Sequence, residues 1–281
     1  MLHYAVKNNK IEQVRALLRD GADANAIDGP PGYTAMHYAA SYGHTEIAKI
    51  LLQHGADANT RHKWDNNHPL HYAAGYPAGY GHTEMVKLLL EHGADVHARN
   101  KWGNTPLHHA AGNGNTEMVK LLLEHGADVH ARAGNGDTPL HKAAVHGRTE
   151  IVKHLLELGV DVHARAENGD TPLHKAVVYG RTETAKTLLE HGADVHARKE
   201  WGMTPLHYAA VHGSGTAKLL AAHAIQAAWH RFRPRARAAR VIQRYWVRAY
   251  WNPYYRVCQN RLRRDFAALT AEAAPAPVPI N

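Results

Sequence analysis

The sequence predicts an all-α protein: a solenoid of seven helix–turn–helix units with hairpin loops, followed by a C-terminal helical extension. Three observations carry this. One phrase recurs, as "DVHARNKWGNTPLHHAA" at 95–111, "DVHARAGNGDTPLHKAA" at 128–144, "DVHARAENGDTPLHKAV" at 161–177 and "DVHARKEWGMTPLHYAA" at 194–210. The Thr of TPLH returns at Thr105, Thr138, Thr171 and Thr204, every 33 residues, a period that marks a stacked repeat. Charge divides the chain: residues 1–222 carry 22 Lys and Arg against 23 Asp and Glu, whereas residues 223–281 carry 11 Arg against Asp265 and Glu272. Two segments of such different charge have two different jobs. The expected organisation is a repeat array at 1–222, a basic aromatic helical segment at 223–270 and an Ala/Pro-rich tail at 271–281.

Each element follows from local chemistry. Thr138 is placed to cap a first helix, its oxygen taking an orphan backbone N–H. Pro139 sits at the first helical position, where its missing N–H costs nothing. Leu140, Ala143 and Ala144 give that helix a small apolar face. Gly147 ends it in a left-handed conformation. Thr149 is expected to cap a second helix, with Ile151, Val152, Leu155 and Leu156 as its apolar stripe, and Gly159 to stop it. A loop then turns back at Asn168-Gly169. No unit can bury its own apolar face, so each needs neighbours. Upstream, Thr34 begins "TAMHYAA", His68 begins "HPLHYAA", and the chain starts inside the same word at Leu2. The first unit is therefore truncated, and the last is altered.

This pattern resembles the ankyrin repeat over about residues 1–222. The resemblance implies hairpin fingers on one side, a concave surface built from fingers and first helices, and a protein-binding role. The departures are local. "GYPAGY" at 75–80 lengthens one unit to 37 residues between His68 and Thr105; Pro77 and the glycines argue for an excursion at the inter-helix turn. His68 replaces the capping Thr, so that cap should be weaker. The finger position filled by His97, His130, His163 and His196 is often Asn in the family, and this chain keeps Asn25 and Asn59 there. The resemblance makes those two asparagines candidates for hydroxylation.

Twenty-five histidines invite a metal hypothesis, but most fall into rows with one member per unit. Packed helices lie about 8–10 Å apart, whereas zinc needs nitrogens at about 2.0–2.1 Å around one ion. No metal or other cofactor is expected. No phosphate loop, H-E-x-x-H or nucleophile elbow occurs, and the lone Cys258 has no placed base and no disulfide partner. The expectation is a non-enzymatic protein. With no secretory signal and no run of membrane-spanning length, it is expected in the cytoplasm, with a cytoskeletal or ciliary assembly and the nucleus as alternatives.

Positions that vary between units are free for binding. After the TPLH-type word come Tyr4, Tyr38, Tyr72, His109, Lys142, Lys175 and Tyr208. By the resemblance this row faces the concave surface, with aromatic ends and a basic middle. Tyr33, Trp64, Trp102 and Trp201 mark finger tips, and an exposed tryptophan suits a binding hot spot. A protein client of acidic or amphipathic character is expected there. In the tail, two stretches resemble the IQ motif, the helical site bound by calmodulin and its relatives. Ile225, Gln226, Trp229, Arg231 and Arg235 form one copy; Ile242, Gln243, Trp246 and Arg248 form the other. Arg231 and Arg248 stand where the motif has Gly, and Pro234 interrupts the first copy. The implied partner is a calmodulin-like light chain. Three alternatives stay open: a cap on the open end of the stack, RNA binding by arginine and interleaved aromatics, and a ubiquitin-ligase adaptor, since "VCQNRLRRDF" at 257–266 weakly resembles the start of a SOCS box.

Overall fold

The computed structural model describes residues 1–30, 32–75, 82–212 and 220. Among them are thirteen α-helices, arranged as six pairs and a final single helix: α1 (Leu2–Lys7) with α2 (Ile11–Arg19), α3 (Ala35–Tyr42) with α4 (Thr45–Gln53), α5 (Pro69–Ala74) with α6 (His82–Glu91), α7 (Pro106–Asn113) with α8 (Thr116–Glu124), α9 (Pro139–His146) with α10 (Thr149–Glu157), α11 (Pro172–Val178) with α12 (Thr182–Glu190), and α13 (Pro205–His212). The first finger closes as a two-residue antiparallel ribbon, β1 (Ile27–Asp28) against β2 (Tyr33–Thr34), with Ile27 opposite Thr34. First helices pack on first helices of the neighbouring units and second helices on second helices, within one compact unit spanning Met1–Leu219.

The core is the repeated apolar set. Leu70, Leu107, Leu140 and Leu173 are fully buried, as are the alanine pairs Ala73–Ala74, Ala110–Ala111 and Ala143–Ala144. The second helices contribute Met85, Met118 and Val152, and Leu89, Leu122 and Leu155 one turn on, also fully buried. Each leucine so buried is worth about 1.5–3 kcal/mol, and the alanines let consecutive first helices come close.

Three rows of polar staples join the units. The first is the TPLH histidine. In each case Nδ1 accepts the backbone N–H of the capping residue, at 3.1 Å for Thr34, His68, Thr105, Thr138 and Thr204. Nε2 then donates to the next finger: His71 to Asn104 O at 3.0 Å, His108 to Asp137 O and His141 to Asp170 O at 3.1 Å. The second row lies in the finger base. Asn25 donates to Gly55 O and accepts from Asp57 N, and Asn59 does the same with Gly93 O and Asp95 N, all at 2.8 Å. The third row reaches backward across the inter-helix turn: His82 to Ser41 O at 3.2 Å, Arg148 to Gly112 O at 2.9 Å and Arg181 to Val145 O at 3.0 Å.

One capping expectation is corrected. Thr149 is the first residue of α10, not its cap; Arg148 occupies the N-cap and makes no side-chain cap bond. The guanidinium is drawn instead to the carbonyl of the preceding unit, and Thr149 Oγ1 pairs with Thr184 Oγ1 at 2.9 Å. Thr138 holds the N-cap of α9 in a reciprocal capping box with His141, and its hydroxyl also meets His141 Nδ1 at 2.9 Å. The weakened cap at His68 has a concrete form: its buried Nδ1 has no hydrogen-bond partner. Gly147 and Gly169 take the left-handed conformation their positions were expected to require, with φ of 70° and 76°. The 75–80 excursion lies outside the described residues from position 76 onward.

Candidate functional site

The variable row lies at the junction of first helices and fingers, and almost every member is tied to a finger residue. At the N-terminal end, Tyr38 of α3 donates to Asp28 Oδ2 at 3.0 Å, and Lys7 Nζ bonds the same oxygen at 3.2 Å while lying 4.1 Å from the Tyr38 ring centre. Tyr33 stacks on Tyr38 with centroids 5.0 Å apart and lies 4.2 Å from His62. Tyr72 of α5 reaches Tyr33 Oη and Asp65 Oδ2, both at 3.4 Å. Burial alone would raise Asp65, but the N–H of Asn67 and the His62 ring outweigh it and hold its carboxyl below the usual range. Burial, and then the hydroxyl of Tyr33, push the Tyr72 phenol up.

The middle of the row is His109 of α7. Its Nε2 lies 3.3 Å from Asn100 Nδ2, which also donates to Asn67 Oδ1 at 2.9 Å. Burial first, and the ammonium of Lys142 second, lower the His109 imidazole to about 4, so it is neutral at pH 7.

Beyond His109 the chemistry becomes ionic. Lys142 Nζ of α9 is 3.6 Å from Asp137 Oδ2. Lys175 Nζ of α11 bridges two fingers, 3.5 Å from Asp137 Oδ1 and 3.2 Å from Asp170 Oδ2. Lys199 of the next finger meets Asp170 Oδ1 at 2.9 Å and lies 5.1 Å from the Tyr208 ring of α13. The carboxylates form the inner layer: side-chain exposure is 4% for Asp137 and 9% for Asp170, against 27%, 16% and 18% for Lys142, Lys175 and Lys199. The expected basic middle is thus a ladder of alternating charge in which the lysine side chains are the more exposed layer.

At the finger tips, Trp64 is 63% exposed and Trp102 57% exposed. Their fingers are joined by a backbone bond from Lys101 N to Asp65 O at 2.7 Å. Tyr33 is packed into the aromatic cluster instead. Trp201 falls in a short 3-10 turn, Glu200–Gly202, its side chain outside the described residues. Tyr4 is 59% exposed. Asn25 and Asn59 are engaged at both ends of their amides, whereas His97, His130, His163 and His196, at the equivalent position, are exposed. Ile225, Gln226, Trp229, Arg231, Arg235, Ile242, Gln243, Trp246, Arg248 and Cys258 all lie outside the described residues.

Sequence reasoning passed over the finger carboxylates beneath the row. A signal was present: Asp precedes the TPLH word in two units only, "GDTPLHKAA" at 136–144 and "GDTPLHKAV" at 169–177, and these are the units with Lys after the His. Among the described residues, no group of three or more His, Cys, Asp or Glu side chains is arranged to hold a metal ion. No described helix is long and apolar enough to cross a membrane.

The repeated pairs, fingers and inter-unit staples define an interaction solenoid. A family model described as "Ankyrin repeats (3 copies)" matches residues 2–100, 77–166 and 159–228. The chain belongs to the ankyrin repeat family, whose repeats are generally protein–protein interaction modules and whose fold is typically a non-catalytic scaffold. Among solved structures it is similar to the human ASB11 ankyrin repeat domain, with 29% identity and a TM-score of 0.71 over 79% of this chain and 96% of that one. No curated protein matches.

Proposed function

We propose that the chain is a non-enzymatic scaffold or adaptor. It holds a protein client along the row from Tyr38 to Tyr208 and on the finger tips, and docks a calmodulin-like light chain on the arginine-rich segment at 223–270. The observation that supports client binding most directly is the pair of solvent-exposed tryptophans, Trp64 and Trp102, on neighbouring fingers. Each indole offers about 150–250 Å² of contact area, and tryptophan is enriched among the residues that dominate binding energy. In the tail, Ile and Trp anchors beside arginines suit a groove in an acidic lobe.

The test uses the full chain and two variants, Trp64→Ala/Trp102→Ala and Ile225→Ala/Trp229→Ala/Ile242→Ala/Trp246→Ala. Proteins captured from a eukaryotic extract are compared, and calmodulin binding is measured directly by calorimetry. A client should be lost with the finger variant and kept with the tail variant; calmodulin should behave in the opposite way. Calmodulin that ignores the four tail changes, or fails to bind the full chain, removes the light chain from the proposal. Material sensitive to RNase and released by moderate salt would make the tail a nucleic-acid arm instead. An identical set of captured proteins for all three chains would overturn client binding at the fingers.

A further inference from the structure

The lysine ladder has a geometry that selects the client's chemistry, an inference that rests on the protein-binding reading above. Asp137 and Asp170 are almost completely covered, and the three ammoniums of Lys142, Lys175 and Lys199 lie outside them. Three positive groups over two negative ones leave one net positive charge on the ladder. The buried carboxylates also fix where the ammoniums point, so the usual cost of ordering a lysine on binding is met in the unbound state. Each ammonium has three donors. Lys175 faces two carboxylates, Lys142 faces one, and Lys199 faces one carboxylate and Tyr208, so each ammonium keeps at least one donor for a further acceptor.

Spacing adds a second constraint. Lys142 and Lys175 share the Asp137 carboxylate, at 3.6 and 3.5 Å, and Lys175 and Lys199 share that of Asp170, at 3.2 and 2.9 Å, so one carboxylate and its two contacts set the greatest separation of each neighbouring pair of ammoniums. An extended chain advances about 3.3–3.6 Å per residue and turns alternate side chains to the same face, so every second residue of an extended peptide comes into register with one ammonium. Toward the N-terminus the row changes to neutral His109 and then Tyr72, whose partners are Asn100 and Asp65; a further carboxylate has no ammonium to meet there, and an apolar or aromatic residue fits better. The chain's own C-terminal segment is excluded as the occupant by charge, since residues 223–281 carry 11 Arg against two acidic side chains.

We propose that the Lys142–Lys175–Lys199 ladder is a docking site for an extended acidic segment of a partner protein, with carboxylates at every second position and an apolar residue beyond the Lys142 end.

The test is fluorescence anisotropy with the full chain and labelled peptides of about ten residues, neutral Ser/Gln sequences carrying glutamate at every second position. Binding should weaken about tenfold when the central glutamate becomes glutamine, and by a similar factor when the same glutamates are moved to every third position. Lys142→Gln should weaken binding about tenfold, Lys142→Arg should restore most of it, and Lys120→Gln, on a second helix beside Glu117, should leave it unchanged. Lys142 is chosen because Lys175 still partners Asp137 in its absence, so the fold is retained. Binding of the glutamine and every-third peptides equal to that of the every-second peptide, or no binding of any acidic peptide by the folded chain, overturns the ladder proposal. If a client sensitive to the Trp64/Trp102 variant persists in that case, the protein-binding reading stands without it; if none does, both fail.

Discussion

His141 shows what the repeated imidazole does. Its Nδ1 accepts Thr138 N–H at 3.1 Å and its Nε2 donates to Asp170 O at 3.1 Å, so it must be neutral, with the proton on Nε2. A second proton would turn Nδ1 from acceptor to donor against an N–H. Burial accordingly lowers His37 and His108 to about 4 and His71 to about 3, and lowers His141 and His174 as well. The unfolded chain takes these protons near pH 6.5. Between that value and about pH 4 the unfolded state therefore binds more protons. The stabilisation is complete above pH 6.5 and is lost as pH falls through the folded values, at about 1.4 kcal/mol per pH unit for each ring. Urea unfolding at neutral pH and at about pH 5 should show a clearly lower midpoint in acid; a constant midpoint would contradict the tautomer assignment. Asp65 and Asp170, held below the usual carboxylate range, add their losses only in stronger acid. The finger base supplies a second prediction. Asn59 clamps the next unit with two bonds, and His130 stands at the equivalent place. His130→Asn should raise stability by about 1 kcal/mol by restoring such a clamp to Gly159 O and Asp161 N. A lower melting temperature for this variant would show that the finger base has adapted to histidine.

At the scale of the element, the fingers are held by backbone contacts with little room. Gly103 has φ +71°, and a Cβ there would lie 2.6 Å from the backbone N of Gly134. That nitrogen donates to Trp102 O at 2.7 Å, so the neighbour cannot withdraw without breaking the link between two fingers. Gly103→Ala should destabilise by about 2–4 kcal/mol, from backbone strain together with the lost bond. Hydrogen exchange should show the fingers around Trp102 and Gly134 opening first. An unchanged exchange pattern would mean the finger junction relaxes freely. The first helices respond differently: each is short, and what fixes it is the histidine staple to the next finger, more than its own cap.

Across the whole array, the units are held by nearest neighbours, and stability in such a stack is close to a sum of unit and interface terms. Excising residues 128–160, one full 33-residue period, rejoins equivalent positions and should leave a folded, cooperatively unfolding array of lower melting temperature, measured by circular dichroism. It also shortens the lysine ladder, since it removes Asp137 and Lys142. An unfolded product would show that stability depends on contacts beyond nearest neighbours.

Much of this architecture was legible in the order of residues. The 33-residue period, the prolines after the capping threonines, the glycines that stop helices and the buried Leu-Ala-Ala faces are local or periodic features, and local sterics decide them. The exposed Trp64 and Trp102 were also readable, because finger tips have no neighbour to cover them. What the tertiary structure alone decided is how side chains far apart in sequence meet. Arg148, at the N-cap of α10 where Thr149 was expected, reaches a carbonyl 36 residues away, and Tyr33 turns from a finger tip into a cluster with Tyr38, His62 and Tyr72. Lys142, Lys175 and Lys199 become one charged surface because Asp137 and Asp170 lie beneath them. The physical reason is stacking: the sequence specifies each unit's shape, but the distance from one unit's lysine to the next unit's aspartate exists only once the units are packed together.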